Sequence, residues 1–113
     1  MKTIWKFPLV GVSAQIDMPE AAIVVNVDEQ RGVPTLWALV DTERQRTART
    51  FRIFGTGHPI DPHEANGLDY LGTLKLHAGE LILHVFELLL KKEDDLPPLD
   101  NQILERGRSS GKK

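Results

Sequence analysis

From residue 3 to residue 88, apolar and polar positions alternate with a period of two, and glycine, proline or clustered charge interrupts the alternation at short intervals. Thr3, Trp5, Phe7 and Leu9 fall on one side of an extended ribbon, with Lys2, Ile4 and Lys6 on the other. After Gly11, Val12, Ala14, Ile16 and Met18 alternate with Ser13, Gln15 and Asp17, and Pro19 stops the ladder because it has no N–H to donate. Ala22 to Val27 is a nearly continuous β-branched run, the pattern of a strand covered on both faces or crossing the core. Glu29 to Gly32 supplies a turn, and the return from Val33 to Val40 predicts an antiparallel hairpin with that run.

Asp41 to Arg49 is polar and predicts a surface loop or the tip of a long hairpin. Alternation resumes over Thr50 to Phe54, with Phe51 and Ile53 on one face and Arg52 on the other, and ends at Gly55-Thr56-Gly57-His58-Pro59-Ile60. Asp61 to Asp69 carries turn formers, with room for at most one helical turn closed by Gly67. Tyr70 to His77 and Leu81 to Leu88 read as two strands joined by Ala78-Gly79-Glu80. Seven short strands without βαβ alternation predict an all-β domain over residues 1–90, a compact antiparallel sandwich or partly open barrel. Residues 91–113 combine a charge run, Pro97-Pro98 and a Gly/Ser/Lys end, which predicts a largely disordered tail. Leu96, Leu99, Ile103 and Leu104 are the exception and could dock as an extended segment or a short helix.

The chain has 113 residues, no cysteine and a formal charge of −2. That excludes a disulfide framework and a Cys-ligated zinc finger, and it leaves no field to hold polyanionic nucleic acid. Lys6 and Pro8 break the start before a signal-peptide apolar core develops, and no stretch is long enough to span a membrane. About 90 ordered residues bury only about 60 to 65% of their unfolded surface, so self-association would help such a domain.

The glycine-rich turn is the most distinctive string. Flexible backbone, a hydroxyl and an imidazole follow a strand directly, so successive N–H groups could form an anion-binding nest. It lacks the Gly-Lys-Ser/Thr ending of a Walker loop and the third glycine of a dinucleotide fingerprint, and a purely conformational turn explains the same residues. Arg44, Arg46, Arg49 and Arg52 form the one local excess of positive charge, and Arg52 leads into the turn. A phosphate held by Arg49, Arg52, His58 and the amides of Gly55, Thr56 and Gly57 is the candidate ligand site; a solvated loop neutralised by nearby acids is the simpler reading. His58, Asp61, His63 and Glu64 would be the donors of a metal site, but their loop setting gives no rigid ligand spacing, so neither a metal nor a cofactor is expected. His84 alternates with Ile82 and Phe86 and reads as a core or interface histidine with a polar partner. A Thr56–His58 nucleophile lacks an elbow and an orienting third residue, so an enzyme ranks last, most naturally a hydrolase using metal at His58, Asp61 and His63. Trp5, Trp37, Phe51, Phe54, Tyr70 and Phe86 are spread over five strands and are assigned to the core rather than to a stacking platform.

Four strings taken together, residues 1–9 (MKTIWKFPL), 36–41 (LWALVD), 50–60 (TFRIFGTGHPI) and 83–87 (LHVFE), resemble a family of short bacteriophage and prophage proteins with a domain of unknown function. The resemblance covers residues 1–88 and carries no catalytic residues. It implies a phage-encoded accessory protein in the cytoplasm of an infected bacterium, directed against host defence. The expected partner is a phosphorylated small molecule of the host, such as a signalling nucleotide, or a host defence protein, bound by a homo-oligomer. A virion assembly component, using the C-terminal segment as its partner-binding element, is the alternative.

Overall fold

In the computed structural model, residues 1–89 are described. The segment predicted as a tail, with Leu96, Leu99, Ile103 and Leu104, lies outside the described residues. Seven strands form in chain order: β1 (Lys2–Pro8), β2 (Ser13–Pro19), β3 (Ile23–Gln30), β4 (Val33–Asp41), β5 (Arg46–Gly55), β6 (Leu68–Leu76) and β7 (Leu81–Leu88). One short helix, α1 (Pro62–Ala65), precedes β6. The strands make two open antiparallel sheets, β1-β4-β3 and β2-β5-β7-β6, so the predicted all-β sandwich is what the chain forms, and neither sheet closes into a barrel.

Period-two patterning sets which side of each strand faces the other sheet. Leu36, Ala38 and Val40 of β4 and Val27 of β3 meet Met18, Phe51, Ile53, Leu74 and Val85 from the second sheet in one buried cluster. Trp5 and Phe7 pack against its margin from β1, and the Arg46 guanidinium lies 5.2 Å from the Trp5 ring centre. Gly72 of β6 faces Val27 closely enough that an added Cβ would sit 3.3 Å from the valine Cβ, so this glycine sets the approach of the two sheets.

The β3–β4 hairpin forms as the sequence predicts, and its turn places Arg31 and Gly32 at φ of 54° and 82°. Positive φ at both central positions is what a two-residue hairpin turn matched to strand twist requires. Between β6 and β7 the tight connection His77–Gly79 runs through three consecutive left-handed residues, with φ of 53°, 57° and 89°.

Three sequence expectations are corrected. The polar stretch Asp41–Arg49 is neither one loop nor a hairpin tip: Asp41 ends β4, Arg46 to Arg49 belong to β5, and the residues between cross from one sheet to the other. The apolar run of β3 is not covered on both faces, because β3 is an edge strand that leaves Ile23 and Val25 59% and 51% exposed. Of the aromatic residues assigned to the core, Phe51 is fully buried there. Phe54, Tyr70 and Phe86 instead stand on the outer face of the four-stranded sheet, as pairing opposite Arg52 and His84 dictates.

Candidate functional site

The outer face of the four-stranded sheet gathers most of the chemistry. β5 presents Arg52 and Phe54 on this side, β7 presents His84 and Phe86, and β6 presents Tyr70 and Thr73. Phe86 lies directly across from Arg52 on one flank and Tyr70 on the other. Its ring meets Phe54 and Tyr70 edge to face, at centroid separations of 5.9 and 5.5 Å. The three rings therefore form a continuous strip, with Tyr70 58% exposed.

A polar chain borders the strip. Thr56 Oγ1 and His84 Nε2 are 2.7 Å apart, Thr73 Oγ1 is 3.1 Å from His84 Nδ1, and the Tyr70 hydroxyl is 2.6 Å from Thr73 Oγ1. The hydroxyls thus hold both nitrogens of His84, so the ring orientation is fixed whichever tautomer it adopts. His84 has the polar partners the sequence reading required, on the outer face rather than in the core.

The glycine-rich turn is closed from within. The His58 N–H donates to the Gly55 carbonyl at 3.1 Å, and Gly57 takes φ of 87°, the conformation that favours glycine in the third position of a tight turn. His58 Nδ1 accepts from the Gly55 N–H at 3.1 Å, which removes that amide from any anion nest. Arg52 donates to Ser13 Oγ at 2.6 Å and to Glu64 Oε2 at 2.5 Å, while its buried Nε has no partner among the described residues. Glu64 is delivered by α1, whose start is capped when Asp61 Oδ1 accepts from the His63 N–H.

Arg52, Gly55, Thr56, Gly57 and His58 accordingly share one end of the outer face, as the sequence suggests. Arg49 does not join them. It lies on the opposite, inward side of β5, where Nε and Nη2 donate to the Glu87 carboxylate at 2.7 and 2.8 Å and Nη1 donates to the Ala22 carbonyl at 2.6 Å. The hydrogen-bonded Glu87 carboxylate raises the Arg49 pKa, against an opposing effect of burial. The predicted basic patch is likewise dispersed: Arg44 lies 4.0 Å from Asp41, Arg46 covers Trp5, and Arg49 and Arg52 each hold a carboxylate. Arg31 belongs to the other sheet. Among the described residues, no three His, Asp or Glu side chains converge to hold a metal ion; Asp61 caps α1 and Glu64 pairs with Arg52.

Phe54, Tyr70, Phe86, Thr73 and Glu64 are the members that sequence reasoning did not assign to the site. Phe54 was recoverable, since it shares the Arg52 side of β5. The others depend on strand pairing and on the path of α1. No curated protein and no solved structure matches the chain. A family model does match, over residues 1–95: the chain belongs to the family described as a domain of unknown function, DUF7352.

Proposed function

We propose that this DUF7352 domain is a binding module that captures a protein partner on the outer face of its four-stranded sheet. The observation that carries the reading is the Phe54–Phe86–Tyr70 strip, in which Phe54 and Tyr70 each pack on the central Phe86 ring outside the main core. Rigid aromatic side chains bordered by hydrogen-bonding groups are the usual anchors of protein interfaces. The resemblance to phage and prophage proteins supports a host protein as the partner, captured in an infected bacterial cell to blunt a defence.

A second reading keeps a phosphorylated small molecule at Arg52 and His58, and the Arg52 Nε, which has no partner among the described residues, favours it. Such a ligand would have to displace Glu64 from the guanidinium, and Arg49 has no part in it.

Affinity capture from the bacterial host, followed by native mass spectrometry, separates the two. Loss of one stoichiometric protein partner in Tyr70→Ala, with retention in Arg52→Ala, is the outcome for a protein-binding face. A retained mass of nucleotide size that disappears in Arg52→Ala indicates the small-molecule site. If both variants keep every bound species, neither reading stands.

A further inference from the structure

The outer face of the three-stranded sheet is a separate surface, and it is apolar at its centre. Ile4 of β1 pairs with Leu39 of β4, and Leu39 pairs with Ile23 of β3, so the three side chains form one row across the sheet. They are 56%, 37% and 59% exposed. Half-buried Trp37 extends the patch along β4, between Lys6 and Asn26. Cross-strand neighbours sit about 4.8 Å apart, so the row is nearly symmetric about the central strand, Ile–Leu–Ile.

Charge on this face is not symmetric. The β1 side carries exposed Lys2, across from Asp41 of β4, whereas the ammonium of exposed Lys6 reaches over the sheet to donate to Gln30 Oε1 of β3 at 2.9 Å. The β3 side carries exposed Asp28, with exposed Glu20 ahead of the strand on the rim of the shallow hollow shared with Lys2 and Leu39.

We infer that this face binds a second copy of the chain, through a two-fold axis running along β4. That operation sets Leu39 against Leu39 and Trp37 against Trp37, and it lays each Ile4 over Ile23 of the second copy. It also brings Lys2 of one copy over the β3 side of the other, toward Glu20. A two-fold axis across the strands would instead lay β1 over β1 and keep Lys2 away from Glu20, so the placement of these two charges selects between the two arrangements. Both keep the strands within the alignment usual for face-to-face sheets. The surface accounts for the exposed isoleucine at the start of β3, a strand that lies at a sheet edge.

The test is sedimentation equilibrium of the full chain from about 1 to 500 μM, a range that brackets an interface at the small end of the specific class. The inference expects a reversible monomer–dimer equilibrium, weakened at least about tenfold by Leu39→Lys, which opposes two like charges at the axis. Circular dichroism and the urea midpoint confirm that the variant is folded. Ile4→Lys and Ile23→Asp each weaken the dimer, and the double variant regains association because each new lysine meets a new aspartate in the second copy. A monomer at every concentration overturns the inference and points to cover by the chain's own C-terminal segment or by another protein. A dimer indifferent to Leu39→Lys overturns it as well, and a double variant that stays dissociated overturns the axis along β4. Tyr70→Ala leaves this equilibrium unchanged, so the result is independent of the protein-binding reading of the other face.

Discussion

Replacing Arg49 by alanine tests whether the inward ion pair holds the sandwich together. In the native chain the guanidinium makes two hydrogen bonds to Glu87 and one to the Ala22 carbonyl, bridging β5, β7 and the entry to β3. Glu87 is only 6% exposed, so Arg49→Ala leaves its carboxylate desolvated and unpaired. Breaking a buried pair from one side costs about 3 to 5 kcal/mol. A domain of this length holds in total about 5 to 13 kcal/mol, so the variant sits near the edge of unfolding. In urea, with a slope of about 1 to 1.5 kcal/mol/M for a small domain, the midpoint falls by roughly 2 to 5 M. Arg49→Met combined with Glu87→Leu removes both charges and returns to within about 2 kcal/mol of the native chain, because no charge is left unpaired. Since Glu87 raises the Arg49 pKa above the ordinary guanidinium value, the guanidinium's share of this stability is complete below that ordinary value. It is lost only as the pH climbs through the folded pKa, so from this group stability is flat around neutrality. A single variant that loses less than about 1 kcal/mol, or a double variant as unstable as the single, refutes the assignment of a buried, coupled pair.

Two further substitutions probe local devices. Gly55→Ala would place a Cβ 2.8 Å from His58 Cε1; the exposed imidazole swings away and releases the Gly55 amide, at a cost of about 1 kcal/mol. Nitrogen NMR of the histidine ring checks it, because Nδ1 loses its hydrogen bond. Asp41 has its pKa lowered chiefly by the Glu43 N–H, with help from the N-terminal amine and Arg44. Its contribution is therefore present above the ordinary value of 3.8 and lost as the pH falls through the lower folded value. Asp41→Asn should flatten the acid limb of stability, read as thermal midpoints between about pH 5 and pH 2.

Period-two alternation made the strands legible because each strand has one side in the shared core, and a slip by one residue would expose that whole side. It failed at Asp41–Arg49 for a physical reason. Arg46 to Arg49 continue β5 through backbone pairing with β2, and their side chains are satisfied by Trp5, Glu87 and the Ala22 carbonyl rather than by apolar burial. The division into two sheets was also not legible, because the same alternation serves a strand whether its neighbour is consecutive or distant in the chain.

The site shows how a single residue limits such reading. Counting back from the turn after β6 pairs Leu76 with Leu81 and Gly72 with Val85. Uninterrupted counting would then set Leu71 opposite Phe86, with Leu71 outside and Tyr70 turned toward the core. The register instead shifts between Tyr70 and Gly72, so that Tyr70 pairs with Phe86 while Leu71 packs against the core. A bulge adds one residue and reverses the faces of everything before it. Here it sends leucine inward and tyrosine outward, and so completes the aromatic strip beside Arg52. The partial burial of Leu71 offsets the locally disrupted ladder, and Gly72 gives Val27 of the facing sheet the space to approach at the same point. The core packing that positions the two sheets is thus the same event that exposes Tyr70, which is why the strip follows from three-dimensional pairing and not from the spacing of aromatic residues along the chain.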